Sequence, residues 1–220
     1  ALMGLAGALL GPWLDNYHGL FGTLNYNLYP FQLRLNEHEI LKSALWVPSL
    51  FGLAGVIIGG LYVWLDTALK DHSRSSAASS PSSVNTTSSS NQFLIVGGNK
   101  ILPPTVDSVL YCISLFSAQY YLSGLLDSSG CPLVLSHVIL AAVAIWGFTK
   151  FDNTLGGLLA SLATAVGGPA IEIGLVNFLH AYSYTNADLW GVDSWIPWVY
   201  FLGGPAVGNL GRITWHKLNQ

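Results

Sequence analysis

The chain has 220 residues, of which 51% are hydrophobic and 9% charged, with a formal net charge of −3; soluble globular chains carry about 25% charged residues. With a mean hydropathy of +0.49, this balance excludes an ordinary soluble domain, and a slightly acidic chain offers no basic surface for nucleic acid. The charges are also segregated, leaving neutral runs over residues 1–14, 43–65, 108–126, 128–149, 153–171 and 194–211. A helix crossing roughly 30 Å of hydrocarbon needs about 20 mostly apolar residues. Five runs meet that length, and the first reads as a helix whose upstream part is absent. The fold class is therefore all-α: a polytopic membrane protein with six transmembrane helices in one bundle.

In chain order, helix 1 is expected over residues 1–13, ending at Gly11–Pro12 before a polar stretch from Asp15 to His18. An aromatic, amide-rich outer loop follows, then Arg34, Glu37, His38 and Glu39, and helix 2 over 43–69 with Pro48 in its first turns, where a missing N–H costs little. Residues 71–104 are dominated at first by Ser, Thr, Ala and Asn, a composition that buries too little apolar surface to order itself. The organisation is thus helices 1–2 with the outer loop (1–70), a flexible Ser/Thr-rich segment (71–104) and helices 3–6 (105–220). Helices 3, 4, 5 and 6 are expected over 105–126, 133–149, 154–181 and 195–215, and Gly167–Gly168–Pro169 predicts a kink in helix 5.

Counting Lys and Arg sets the orientation. One side receives Lys70, Arg74, Lys100, Lys150, Arg212 and Lys217, the other only Arg34 and Lys42, so the first side is expected to face the cytoplasm. The sequon Asn85–Thr86–Thr87 then falls on the unglycosylated side. Cys112 and Cys131 are too few for a disulfide framework or a cysteine zinc site. The sequence has no Gly-x-Ser-x-Gly elbow, no His-Glu-x-x-His and no phosphate-binding Gly loop. Gly55-x-x-x-Gly59 and Gly204-x-x-x-Gly208 lie inside apolar spans, where small residues let helix backbones approach closely. Glu172 is the one acid deep within a span, and such a group must be paired, protonated or turned to a cavity.

Certain segments resemble the insulin-induced gene (Insig) family. They are Ser43-Ala-Leu-Trp-Val-Pro-Ser-Leu-Phe-Gly52 with Gly60-Leu-Tyr-Val-Trp-Leu-Asp66, Leu126–Asp127, Tyr182-Ser-Tyr-Thr-Asn-Ala-Asp188, and above all Ser194-Trp-Ile-Pro through Gly203–Gly204 to Gly208-Asn-Leu-Gly-Arg212. The resemblance implies a six-helix membrane protein without enzymatic activity. Animal members reside in the endoplasmic reticulum, bind oxysterols and hold sterol-sensing partners there, while bacterial relatives bind a diacyl lipid in a central cavity. The family has a Phe-Asp-Arg motif after helix 4 that is tied to partner binding; here Phe151-Asp152-Asn153 lies nearby, with Asn in place of Arg and a shifted spacing from Trp146. The family's polar Asn-His in helix 3 corresponds to Tyr120–Tyr121.

The functional expectation is a sterol or diacyl lipid held within the bundle by Trp46, Pro48, Glu172, Asn177 and Trp195, with an integral membrane partner contacted through Asp152, Gly204 and Gly208. No cofactor is firmly implied. The competing reading is a structural or pigment-carrying subunit of a larger complex in a plastid membrane, with His18, His137 and His180 as ligands to chlorophyll, or with carotenoid. A transporter is disfavoured by the lack of an internal repeat.

Overall fold

Helix α1 spans Leu2–Phe21 and continues eight residues past the expected stop at Trp13. Pro12 lies inside it, and neighbouring helices stabilise the turn that its missing N–H weakens. The helix ends instead at Gly22, whose φ of 75° is a left-handed conformation natural to glycine, with its N–H donating to the Gly19 carbonyl. Asp15, Asn16 and His18 therefore sit on the helix, with Asn16 and His18 buried. The computed structural model describes residues 1–78 and 104–219.

The outer loop is not irregular. It forms β1 (Leu24–Tyr26), β2 (Pro30–Leu35) and β3 (His38–Ala44). Strands β2 and β3 make an antiparallel hairpin whose register shifts at Leu33/Arg34, and Asn36 turns it with a positive φ, which asparagine tolerates. Strand β1 pairs instead with β4 (Tyr182–Tyr184), far along the chain. Helix α2 runs Val47–Ala78, eight residues into the segment expected to be flexible; the rest of that segment, with the sequon, lies outside the described residues.

Helices α3 (Val106–Ser128), α4 (Leu133–Phe151), α5 (Leu155–Asn177) and α6 (Ile196–Leu218) complete the bundle. Thr105 and Thr154 cap α3 and α5, their hydroxyls accepting from the N–H of Ser108 and Gly157. Helix α5 runs uninterrupted through Gly167–Gly168–Pro169 and stops at Asn177, earlier than expected, because the chain turns at His180 (φ 48°) into β4. The stretches Val47–Leu69, Val106–Ser128, Leu133–Phe151 and Leu155–Asn177 are each long and apolar enough to cross a membrane. Helices α1 and α6, with 20 and 23 residues, are about 30 Å or more long and pack within the same bundle.

Helix α6 is the axis of the core. It packs against α2, α3, α4 and α5, burying Val199, Leu202, Gly204 and Ala206. The small-residue faces are filled from within the chain. A Cβ on Gly204 would fall 2.4 Å from Ser161 Oγ, one on Gly208 2.4 Å from the Tyr62 ring, and one on Gly55 2.6 Å from the Met3 carbonyl oxygen. Gly204 and Gly208 thus seat α5 and α2. The two cysteines are free.

Candidate functional site: an apolar cavity with an acidic end

Between α2 and α5 lies a cavity of about 260 Å³. Leu50, Ala54, Ile57, Ile58 and Leu61 recur at helical spacing along its α2 wall. The α5 wall carries Ala163, Thr164, Gly167, Gly168 and Ile171. Gly167 has nothing within 4 Å of where a Cβ would stand, so its missing side chain leaves that space open. Ile57 and Ile171 line the cavity yet are 57% and 55% exposed, so it opens sideways between α2 and α5, toward lipid.

One end of the cavity is polar. Glu172 on α5 accepts from the Tyr184 hydroxyl at Oε2 and from the Tyr200 hydroxyl at Oε1, each at 2.5 Å. Asp15 on α1 also lines this end and accepts from the Tyr26 hydroxyl. Trp46 closes the wall, its ring stacked on Tyr182 at 5.7 Å and its Nε1 donating to the Leu28 carbonyl at 3.0 Å. The paired strands β1 and β4 hold Tyr26, Tyr182 and Tyr184 in place. Two carboxyl groups thus face the cavity, and no Lys, Arg or His among the described residues lines it. A second cavity of about 90 Å³, among α1, α2, α3 and α6, shares Phe51, Ala54, Ile58, Thr164 and Tyr200 with the first.

Of the expected ligand-binding residues, Trp46 and Glu172 meet at this cavity. Pro48 sits in the first turn of α2 without lining it. Asn177 lies away from it, its Nδ2 donating to the carbonyls of Ile173 and Trp190. Trp195 is buried in the core with its ring edge-on to His18 at 5.6 Å. Tyr184 and Tyr200 were missed, and no local sequence signal ties residues 12 and 28 positions away to Glu172.

Asp152 belongs to a different cluster at the opposite end of the bundle. Arg212 clamps Asp66 in bidentate fashion, Nε to Oδ2 at 2.7 Å and Nη2 to Oδ1 at 2.9 Å, and its Nη1 reaches Asp152 Oδ1 at 2.9 Å. Thr154 and Asn209 add oxygen acceptors at 3.0 Å, and the Tyr62 ring lies 4.8 Å from the guanidinium. Asp152 is therefore enclosed by its own chain.

The three histidines do not converge. His18 Nε2 meets Ser123 Oγ at 2.8 Å, and exposed His180 Nδ1 lies 3.1 Å from the Val176 carbonyl. His137 accepts at Nδ1 from Trp198 Nε1, which leaves Nε2 as the donor toward Ser194 Oγ; that hydroxyl in turn donates to Asp188. An imidazole held in this tautomer cannot take a proton from Ser194, so the grouping fixes α4 to the start of α6 and is not a nucleophile–base pair. None of the three lines either cavity.

Asp193, in the connection before α6, is buried with Oδ2 unpartnered. Burial, then the neighbouring Asp127, Asp188 and Glu172, push its pKa from 3.8 up to about 8. The folded state holds this proton more tightly than the unfolded chain does. Stability from this group is thus full below about pH 4 and is lost as pH rises to about 8. Melting of the Asp193→Asn variant should lack that decline; an identical pH profile in both proteins would show that Asp193 does not titrate in this window.

The chain matches the sequence profile described as Insulin-induced protein (INSIG) over residues 19–214. It is 28% identical over 200 residues to the Insulin-induced gene 1 protein of Gallus gallus, a match spanning 88% of this chain and 68% of that protein. Against the Homo sapiens protein of the same name identity is 27% over 188 residues, covering 86% of this chain and 56% of the human one. The fold is similar to that of MvINS, the mycobacterial Insig homologue from Mycobacterium vanbaalenii, with a TM-score of 0.68 at 20% identity over 96% of this chain and 90% of that one. A cross-linked MvINS trimer gives a TM-score of 0.71 at 22% identity, covering 100% of this chain and 95% of that chain. With nearly its whole length matched, this chain belongs to the insulin-induced protein (INSIG) family of regulatory, multi-pass membrane proteins.

Proposed function

We propose that this protein is a non-enzymatic lipid-binding regulator that holds a neutral lipid between α2 and α5 and regulates or anchors an integral membrane partner. One observation carries the ligand reading: an apolar cavity, open to the membrane, that ends on the Glu172–Tyr184–Tyr200 cluster. Apolar walls with a few convergent polar groups are the usual form of a small-molecule site. Two carboxyl groups without a cation repel an anionic headgroup, so a hydroxyl-bearing sterol or diacyl lipid suits this end best. The second cavity behind the shared Phe51–Ala54–Ile58 wall favours the two-tailed molecule. Family membership supports the partner role, and the endoplasmic reticulum is the proposed location.

Mass spectrometry of a solvent extract from natively purified protein tests the ligand. The expected result is a stoichiometric neutral lipid, reduced at least about tenfold by Ala54→Phe, which sets a ring on the wall that both cavities share, a loss equivalent to about 1.4 kcal/mol of affinity. Glu172→Leu should weaken retention at unchanged folding, judged by gel filtration. Full lipid occupancy in both variants would remove this cavity from the reading, and stoichiometric chlorophyll or carotenoid would favour a pigment-carrying subunit.

A further inference from the structure

The β2–β3 hairpin is separate from the cavity and carries an unusual surface. Phe31, Leu33 and Leu35 alternate along β2 with Gln32 and Arg34, so the apolar residues share one face and the polar ones the other. The polar face is organised: Arg34 donates to Glu39 at 2.8 Å and to Gln32 at 3.2 Å. At its base this face is covered, Ser43 opposite Phe31 and Leu41 opposite Leu33 being buried and Phe31 half-buried, but toward the tip it is open, with Leu33 53% and Leu35 64% exposed.

Strand β3 lies alongside the last turns of α1. Asn16 of α1 binds the β3 backbone twice, donating to the Ile40 carbonyl at 3.0 Å and accepting from the Lys42 N–H at 2.6 Å. Asn16 lies five residues before the end of α1 at Phe21, about 7.5 Å inward along the axis. Elements that rest in a bilayer interface bury about 5–10 Å into the headgroup–acyl boundary. The apolar surface also continues into the membrane-facing side of α2, through Leu45, 67% exposed, to Leu53 and Ile57.

From this placement we infer that the β2–β3 hairpin is an interfacial membrane contact on the side opposite the Arg212 cluster: Phe31, Leu33 and Leu35 enter the headgroup–acyl boundary, while Gln32, Arg34 and Glu39 face water. The occupant is lipid and not protein because Asn16 anchors β3 within the last turns of α1 and Leu45, directly after β3, leads into the lipid-facing surface of α2. Across the hairpin, Arg34 and Lys42 are balanced by Glu39 and by Glu37 at the turn, so no anionic headgroup is required.

Spin labelling in phosphatidylcholine vesicles tests this. In a Cys131→Ser background, where only buried Cys112 remains, nitroxides are attached through Leu33→Cys, Leu35→Cys and Gln32→Cys, with Leu53→Cys, exposed and outside both cavities, as the lipid-facing reference. Residues 33 and 35 should favour collision with oxygen over a water-soluble nickel complex several-fold more than residue 32, approaching residue 53. Equal access of the nickel complex to 32, 33 and 35 would overturn the inference. Shielding of 33 and 35 from both reagents would overturn it as well, by showing protein, such as a second copy of the chain, on this face.

Discussion

Arg212→Met should lower the unfolding free energy by about 3–5 kcal/mol, the cost of removing one partner from a buried ion pair. Arg212 satisfies both oxygens of Asp66 and one of Asp152, whose other oxygen is already buried without a partner. Without the guanidinium, two carboxylates from α2 and the α4–α5 connection face each other in a dry region, and α6 loses its tie to both. Arg212→Lys should not restore stability, because an ammonium cannot span Asp66 and Asp152 as the planar fork does. Adding Asp66→Leu to Arg212→Met should recover part of the loss, since removing both charges removes part of the desolvation penalty. Denaturation in detergent followed by circular dichroism measures all three; a single variant within about 0.5 kcal/mol of the parent would show that the cluster is energetically idle.

Gly7→Ala should cost about 3 kcal/mol, the upper end of the usual range for overpacking. A Cβ there would lie 2.2 Å from the Phe51 carbonyl oxygen, and a backbone atom has no rotamer to move to. Relief requires α1 and α2 to separate, which disturbs the cavity that Gly7 and Gly55 line. Gly60 and Gly174, with nothing within 4 Å, give the contrast: alanine there should stabilise by about 0.5–1 kcal/mol through helix propensity alone. The same melting assay separates the two classes, and equal effects at Gly7 and Gly60 would contradict the close approach of α1 to α2.

The helices were legible because neutral runs of bilayer length have few alternative explanations. The end of α1 was not, since Gly11–Pro12 reads locally as a stop and tertiary packing overrides it. The hairpin's signal is the alternation from Phe31 to Leu35 followed by Asn36, which the charges at Arg34, Glu37 and Glu39 interrupt. Glu172 stood out as a lone acid, but its tyrosine partners belong to β4 and α6, and only the folded chain brings them together. Asp66 and Arg212 each follow a neutral run and Asp152 precedes one, all at the same expected membrane level, which is the trace their pairing leaves in sequence. Asn177, five residues from Glu172, does not share its face, and its bonds to Ile173 and Trp190 follow from that.

The pairing of β1 with β4 bears on biogenesis. Asn25 and Thr185, joined side chain to side chain at its edge, are 160 residues apart. At ribosomal speeds of about 5–20 residues per second, that separation is on the order of ten to thirty seconds of synthesis. Through that interval β1 has no strand to pair with, and a nascent chain stalled before Tyr184 exposes its unpaired edge to quality control. Tyr182, Tyr184 and finally Tyr200 arrive last, so the polar end of the cavity is completed after its apolar walls.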